Sequence, residues 1–376
     1  MQSHLARSLA TLAAVVLLLA CGSSSGSSPA SKPRAAPTQA APAEPAASGP
    51  ATAGSPDEFY RGKTVRVIVG SAAGGGFDTY ARVIARHLSK HVPGNPTIIV
   101  ENMAGAGSLI AANYVYKAAP KDGTVIGHPQ GGLILQQLLG LQGVEFDALR
   151  WQVLGVPASD NNTCVVTRAS GIRSLAEVMN PNGKPPVVGG NAPGSATWDV
   201  PMRLKAALDL NLRVVEGYDG TAKVRLAMDQ GEVDGLCGWS WESLQATGLD
   251  RVEAGDWTVA VQVTEQPLKD LPTAPMALEM ARSEQARQLI RLGIIIPSKI
   301  LRPFFVAPEV PADRAEALRR AFAATMDDPE FRQDAEKAKL DLAPIAGEEA
   351  QQLIRELFAM PDDLKTRLRQ INNKEG

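Results

Sequence analysis

The chain has 376 residues, of which 44% are hydrophobic and 21% are charged, as in soluble globular proteins. This length is sufficient for two ordinary domains. The formal net charge of −2 argues against nucleic acid as a partner, because no basic face is available to neutralise many phosphates.

The first residues of the chain have the pattern of a signal peptide. Arg7 precedes an apolar stretch over residues 9–19, which is too short to cross a bilayer as a helix. The sequence LLAC that follows resembles a bacterial lipobox, in which the cysteine is lipidated and becomes the new N-terminus. We therefore expect a lipoprotein signal peptide over residues 1–21 and a lipid anchor at Cys21, which would hold the protein outside the cytoplasm in the cell envelope, on the periplasmic or the outer face of a membrane. An ordinary secretory signal is the alternative.

Residues 22–57 consist largely of Ser, Gly, Ala and Pro and contain no aromatic side chain. Such a composition cannot bury enough apolar surface to offset the entropy of ordering the chain. We predict a disordered linker that connects the lipid anchor to the folded part.

The folded part begins with a strand, a glycine loop and a helix. Residues 65–69 are apolar and mostly β-branched, which predicts a buried strand. Glycines follow at positions 70, 74, 75 and 76, and apolar residues then recur at helical spacing up to Leu88. Backbone N–H groups of such a loop can converge on one point, to which the helix adds free N–H groups and a positive dipole end. The pattern predicts an anion-binding loop.

Two further units of this kind follow in the chain. One has a strand at 96–102 and a glycine loop at 103–108, and the other has a turn followed by a strand within 120–127 and the pair Gly131 and Gly132. Consecutive units of strand, loop and helix predict a parallel sheet with its loops at the carboxyl ends of the strands, where ligands bind.

From about residue 151 the pattern starts again, with its own glycine loop at Gly194 and Ser195. A proline-rich stretch at 267–275 then precedes one more strand and three helices. We predict an α/β fold of two domains, each a mainly parallel sheet with flanking helices: residues 58–155 with 265–376 form the first, and residues 156–264 the second. Two crossings between the domains predict a hinge beside a ligand cleft.

Two cysteines, Cys164 and Cys237, remain when Cys21 is lipidated. Cysteines of an exported protein commonly pair, and we predict a disulfide between them. Two buried free thiols are the alternative.

Several separated segments carry a family resemblance. They are GGGFDTYAR at 74–82, NMAGAGSLIAANYVYKAAPKDGTVIG at 102–127, GSATW at 194–198, EGYDGTAKVRLAMDQGEVDG at 216–235, DLPTAPMALE at 270–279 and VAPEVPADRAEALRRAF at 306–322. In this order they resemble the solute receptors of tripartite tricarboxylate transporters, the TctC-like Bug receptors, over residues 58–357. The resemblance implies a type II two-domain periplasmic binding protein that closes on a small carboxylate and delivers it to a membrane permease. It implies no catalysis and no cofactor.

Matching positions with the family implies ligand-binding residues on both sides of the cleft. The first domain would contribute Ser71, Ala72, Gly74, Gly75, Gly76 and Asp78 with Gly105, Ala106, Gly107 and Ser108, and the second Gly194, Ser195 and Thr197, closed over by Tyr218 and Gly220. Asp78 is expected to hold its loop in place, because two carboxylates repel each other. The family commonly has an aromatic residue and a proline before the first glycines, and the serine and alanines here make the loop smaller and more polar.

Other classes of protein stay open as alternatives. A dinucleotide-binding enzyme would use the first glycine loop and Glu101, although the spacing GxxxGGG departs from GxGxxG. A sensor lipoprotein would have the same fold and no permease. A hydrolase is disfavoured because the chain has few histidines and no GxSxG motif. His87 and His91 are spaced for zinc, but a solvated helix end is the commoner use, and we predict no metal.

Overall fold

The structure, a computed structural model, describes residues 55–373 except 180–183, 192 and 219. The predicted signal peptide, Cys21 and the linker up to residue 54 lie outside the described residues. The linker prediction is wrong for its last three residues, because Ser55 caps a helix that begins at Pro56. The Ser55 hydroxyl accepts a hydrogen bond from the Glu58 N–H and the Glu58 carboxylate accepts one from the Ser55 N–H, a capping box.

The described residues contain eleven strands and fifteen α-helices. The strands are β1 (Thr64–Val69), β2 (Thr97–Asn102), β3 (Val125–His128), β4 (Gln152–Val156), β5 (Asn162–Thr167), β6 (Val187–Gly189), β7 (Arg213–Val215), β8 (Gly235–Ser240), β9 (Trp257–Val263), β10 (Phe304–Val306) and β11 (Ile345–Ala346). The helices are α1 (Pro56–Tyr60), α2 (Gly76–Leu88), α3 (Leu109–Asn113), α4 (Gly132–Leu138), α5 (Leu175–Val178), α6 (Ala196–Leu208), α7 (Thr221–Asp229), α8 (Trp241–Glu253), α9 (Ala277–Met280), α10 (Glu284–Ile290), α11 (Ile296–Lys299), α12 (Ala312–Asp327), α13 (Pro329–Lys337), α14 (Gly347–Phe358) and α15 (Asp362–Asn372). None of the described helices combines the length and the hydropathy needed to cross a membrane.

The strands form two separate sheets, which we call the first and the second sheet. The first has the order β11-β4-β10-β3-β1-β2 and the second the order β7-β6-β8-β5-β9. β1 is parallel to β2 and β3, and β6 is parallel to β7 and β8. The α/β class is confirmed, but both sheets are mixed instead of mainly parallel. β10 and β5, the first strands after each passage between the sheets, run antiparallel to both of their neighbours.

Helices cover both faces of each sheet, so the central strands are buried on both sides. In β1, Val65, Val67 and Val69 pack in one layer with α2 and α12, and Ile68 packs in the opposite layer with α3, α4 and α14. Alternating side chains of a strand point to opposite faces, and an apolar run is needed where both faces are covered. This explains the continuous apolar run that predicted the strand.

The chain between β9 and β10 packs on both sheets. Ile290 and Ile294 belong to the core of the second sheet, whereas Leu289 and Leu292 belong to the core of the first. The C-terminal helix α15 joins the first-sheet core and also contacts α6. The predicted division of the chain into two domains therefore stays a prediction.

A disulfide joins Cys164 on β5 to Cys237 on β8. The two residues face each other in the antiparallel register of these strands, and 73 positions separate them in the sequence. The pairing expected for an exported protein is thus present, and it lies within the second sheet.

Candidate functional site

The first glycine loop, residues 70–75, lies between β1 and α2 and is held by Asp78. Asp78 Oδ2 accepts hydrogen bonds from the Gly74 N–H at 2.8 Å and from Arg82 Nε at 2.9 Å, and Oδ1 accepts one from Asn102 Nδ2 at 2.9 Å. Asn102 Nδ2 also donates to the Ser71 carbonyl at 3.0 Å. The bond from Arg82 lowers the pKa of Asp78 to about 2. Asp78 thus has the loop-holding role that we expected.

The second glycine loop packs directly against the first. Gly105, Ala106, Gly107 and Ser108 all have positive φ, an arrangement that costs the two non-glycine residues about 1–2 kcal/mol each. The buried Ser108 hydroxyl donates to the Gly70 carbonyl at 2.8 Å. This bond ties the second loop to the end of β1.

The third unit contributes a buried histidine that is unsuited to acid–base chemistry. The His128 ring stacks on Phe304 at 4.0 Å between centroids and lies 5.3 Å from the ring of Phe77. Its Nδ1 donates to the Pro303 carbonyl at 3.0 Å. Burial lowers the pKa of His128 to about 4, so the ring is neutral at physiological pH. Its role is to pack the start of α2 against β10.

The side chains of His87 and His91 contact two different carboxylates. His87 Nε2 lies 3.0 Å from Asp334 and His91 Nε2 lies 2.9 Å from Asp328, both on the α12–α13 side of α2. The Lys90 ammonium is 2.5 Å from Asp328 and supplies the positive charge there. This arrangement favours a structural contact between helices over the zinc alternative.

The loop after β6 is held in the same way as the first glycine loop. We call residues 190, 191 and 193–195 the second-sheet loop. Its Gly194 N–H donates to Asp199 Oδ1 at 2.9 Å, and Arg203 Nη2 donates to Asp199 Oδ2 at 2.8 Å. Arg203 Nη1 donates a hydrogen bond to the carbonyl of Gly293 at 2.7 Å, and Gly293 lies in the segment between the two sheets.

The hydroxyl of Thr197, in the first turn of α6, forms hydrogen bonds with Asn191 of the second-sheet loop. It donates to Asn191 Oδ1 and accepts from the Asn191 N–H, both at 3.1 Å, and lies 3.3 Å from the Ser195 hydroxyl. Tyr218 is half-buried beside Gly189, and Gly220 caps α7 with a positive φ of 88°. Because β6 and β7 are parallel, the loops that follow them lie at the same end of the second sheet, and the Tyr218 N–H donates to the Gly190 carbonyl at 3.3 Å. That these residues bind a ligand stays a prediction.

The structure changes which N–H groups of the predicted site can reach a ligand. Those of Gly74 and Gly194 are occupied by Asp78 and Asp199. The earliest N–H groups of α2 and α6 have no acceptor within their own helices, although the Trp198 N–H donates to the Ser195 carbonyl at 3.1 Å. We therefore expect an anion to bind to N–H groups one or two residues further into these helices, and this stays a prediction.

A cavity of about 530 Å³ lies between α4 and α6. Asp160, the first residue of β5 (Asn162) and Ser298 on α11 form another wall, and α15 closes one end. Of the predicted ligand-binding residues only Gly194 lines it, together with its neighbours Pro193 and Ala196. The first and second glycine loops do not line this cavity, so their role in binding stays a prediction.

Polar residues of the connecting segments were not found from the sequence. Arg302 Nη1 donates to Asp160 Oδ1 at 2.6 Å, across 142 positions of the chain. The guanidinium of Arg302 also lies over the rings of Phe77 and Tyr80, at 5.5 and 5.2 Å from their centroids. Arg302 therefore connects the segment between the sheets to the start of α2. No local sequence pattern predicts such a contact.

Glu101, which a dinucleotide enzyme would need for a ribose, is already bound. Arg66 Nε donates to Glu101 Oε1 at 2.8 Å and Nη2 donates to Oε2 at 2.6 Å. The guanidinium occupies one lone pair on each carboxylate oxygen, so Glu101 has a structural role as the partner of Arg66 on the neighbouring strand.

The arrangement of the two sheets matches the fold of solved solute-binding and periplasmic binding proteins. A TctC solute-binding protein from Polaromonas has this fold, with a TM-score of 0.63 and 18% identity over 84% of this chain and 99% of that chain. MatC from Rhodopseudomonas palustris, solved with bound malate, has a TM-score of 0.55 and 18% identity over 82% of this chain and 99% of its own. An R. palustris protein solved with adipate has a TM-score of 0.56 and 20% identity over 81% and 97%.

The sequence comparisons cover less of the chain. A UPF0065 protein from the TAR-I ttuE-ttuC′ intergenic region of Agrobacterium vitis is 43% identical over 61 residues, 16% of this chain. The match spans 17% of that relative's length. No family model matches the chain. The TctC/Bug resemblance predicted from the sequence is confirmed at the level of the fold.

Proposed function

We propose that the protein is an extracytoplasmic solute receptor that binds a small organic carboxylate between its two sheets. The observation that carries the proposal is the pair of glycine loops held by Asp78 and Asp199. Each aspartate fixes a loop immediately before a helix, so the first-turn N–H groups of α2 and α6 are preorganised. Charged hydrogen bonds to such groups contribute about 1.5–3 kcal/mol each.

The ligands of proteins with this fold support the same class of solute. MatC was solved with malate and another R. palustris protein with adipate, two carboxylates of different length. A site that holds a carboxylate by backbone N–H groups leaves the rest of the solute to the shape of the cavity. Here that cavity adjoins the second-sheet loop at Gly194.

We further propose that the bound solute is delivered to the membrane permease of a tripartite tricarboxylate-type transporter and that Cys21 carries a lipid anchor. The lipobox-like LLAC and the composition of residues 22–54 support a tethered receptor in the cell envelope. A hinge between the sheets would close the two loops on the solute. Labelling of Cys21 by lipid in cells, and its loss in Cys21→Ala, tests the anchor.

The proposal is tested by a thermal-shift screen of the purified protein against dicarboxylates, aromatic carboxylates, amino acids and nucleotides. A ligand at 100 times its Kd adds about 2.7 kcal/mol of stability, which shifts the melting temperature visibly. We expect shifts for carboxylates alone. A rise in melting temperature with nucleotides and none with carboxylates would instead support the dinucleotide-binding enzyme.

The variant Gly75→Val tests the first glycine loop separately. Gly75 has a φ of −80° and an added Cβ would meet only the Ala72 carbonyl, at 3.5 Å, so the fold tolerates a side chain. We expect Val to cover the helix start and to weaken carboxylate binding at least tenfold, with a smaller loss in the matched variant Gly75→Ala. Unchanged binding in both variants would mean that the solute binds beside Gly194 and does not contact the first glycine loop.

A further inference from the structure

Helices α6 and α8 begin close together at one end of the second sheet. β6 and β8 are neighbouring parallel strands; α6 follows β6 through the second-sheet loop, and α8 follows β8 directly. A Cβ at Gly238 of β8 would lie 2.1 Å from the Ala196 carbonyl oxygen and 2.9 Å from the Thr197 nitrogen, so β8 touches the first turn of α6. Because neighbouring strands are about 4.8 Å apart, the two helix starts are roughly 10 Å from each other.

Glu242, in the first turn of α8, has a buried carboxylate that is only half satisfied. Its Oε1 accepts a hydrogen bond from Asn161 Nδ2 at 2.5 Å, and the Trp241 N–H donates to the Asn161 carbonyl at 2.8 Å. Its Oε2 is buried and has no hydrogen-bond partner among the described residues. Another carboxylate, that of Asp270, accepts from Trp241 Nε1 at 3.3 Å. A buried carboxylate in such surroundings favours the neutral, protonated form.

The charged groups around Glu242 favour protonation as well. Burial raises the pKa of Glu242, the charge of Asp160 adds to this rise, and the hydrogen bond from Asn161 reduces it. Asp160 is paired with Arg302 at 2.6 Å, and Asp341 lies near this pair, where burial raises its pKa too. Among the described residues no cation forms an ion pair with Glu242 itself. A further negative charge nearby would therefore act on Glu242 without compensation.

We propose that the binding of an anionic solute at the start of α6 is coupled to the uptake of one proton by Glu242. This inference rests on the proposed function and concerns how the same site responds to pH. The proton comes from the solvent and converts the Glu242 carboxylate into a neutral carboxylic acid. At an effective dielectric constant of about 20, two charges about 10 Å apart alter each other's protonation roughly tenfold. Affinity falls as the pH rises, because the solute then meets an ionised Glu242.

The test is calorimetric titration of the purified protein with malate, with adipate and with any other carboxylate that raises its melting temperature. Each titration is made in buffers of different ionisation enthalpy between about pH 5 and 8. Comparison with Glu242→Gln removes the solute's own protons from the count. We expect the wild type to take up more protons per solute than this variant, by up to about one. Its Kd should rise about three- to tenfold relative to that of the variant across this range, and the two values should agree at the acid end.

Two further variants keep the test decisive. Glu253→Gln makes the same exchange at an exposed position, the last residue of α8, and should behave as the wild type. Asn161→Ala removes a hydrogen bond that favours the ionised form of Glu242, so the rise in Kd should move to higher pH. The second variant tests the coupling even if Glu242→Gln fails to fold.

The possible outcomes separate this inference from the proposed function. Carboxylate binding without proton uptake, uptake that persists in Glu242→Gln, or a pH dependence that Asn161→Ala leaves unmoved would overturn this inference alone. Loss of uptake in Asp341→Asn but not in Glu242→Gln would assign the proton to Asp341 and overturn it as well. Failure of every carboxylate to bind would overturn the proposed function with it.

Discussion

The loop after β1 and the loop after β6 are held by the same device in different surroundings. In each, an aspartate in the first turn or so of the helix accepts a glycine N–H from the loop and pairs with an arginine four residues further on. Arg82 is 47% exposed, whereas Arg203 is 7% exposed and also binds the Gly293 carbonyl.

This difference shows that one local motif serves two purposes. The Asp78–Arg82 pair holds a loop at the surface and connects it to β2 through Asn102. The Asp199–Arg203 pair holds a loop and also fixes α6 to the segment between the sheets. Loss of the second pair is therefore expected to affect the whole molecule, and loss of the first only its loop.

The largest expected effect is that of Arg203→Met. Removal of this guanidinium leaves Asp199 without its cation and the Gly293 carbonyl without its donor. A broken buried pair costs about 3–5 kcal/mol of unfolding free energy. The matched variant Arg82→Met removes a guanidinium that is 47% exposed and leaves Asp78 its hydrogen bonds from Gly74 and Asn102, so we expect a smaller loss of about 1–2 kcal/mol. Urea unfolding of both variants measures the contrast, and equal losses would contradict it.

The disulfide is a second stabilising feature of the second sheet alone. It closes 73 positions of chain, and chain-entropy arguments assign such a link about 4 kcal/mol. We expect Cys164→Ala with Cys237→Ala, or reduction, to lower the melting temperature. Mass spectrometry of alkylated protein reports the free thiols. An unchanged melting temperature in the reduced protein would show that the second sheet does not depend on the link.

Asp78 should make the free energy of unfolding depend on pH in the acid range. Its pKa is about 2 in the folded protein against an ordinary value of 3.8, so the folded state favours the ionised form. The resulting stabilisation, about 2 kcal/mol, is fully present above pH 4 and is lost as the pH falls toward 2. Asp78→Asn should remove this part of the pH dependence, as measured by urea unfolding at several pH values. An identical slope in the variant and the wild type would contradict it.

The smallest expected effect concerns alanine substitutions at two glycines, one of which should destabilise the protein and the other stabilise it. Gly194 has a φ of 90°, so Gly194→Ala should cost about 1–2 kcal/mol. Gly76, the first residue of α2, has open space around a Cβ and no positive φ, and Gly76→Ala should stabilise by about 0.5 kcal/mol. Thermal unfolding of the two variants measures both. Destabilisation of similar size in both would mean that the loops are equally constrained.

Local sequence patterns predicted the parts of the fold that local energetics control. β1 and α2 lie within one residue of the predicted bounds, since an apolar run and a helical stripe mark them directly. α8 was missed because only Trp241, Leu244 and Gly248 are buried along it. α15 was missed although Leu364, Leu368 and Ile371 have helical spacing, a signal that was present.

The candidate site was predicted less completely than the fold. The glycine loops and the role of Asp78 were visible, and the i, i+4 spacing of both aspartate–arginine pairs could have been found. Asn162 and Ser298 meet across 136 positions, and neither has a local signature. The cavity was unpredictable for the same reason, because its walls come from segments that only tertiary packing brings together.

The contact between Ser108 and Gly70 has an evolutionary consequence. A side chain at position 70 would collide with the Ser108 hydroxyl, and the Ser108 backbone has a left-handed conformation that glycine adopts more readily. In related sequences we expect the two positions to vary together: a larger residue at 70 should accompany glycine at 108, and serine at 108 should accompany glycine at 70. The first and second glycine loops would then evolve together, because a substitution in one would restrict the substitutions tolerated in the other.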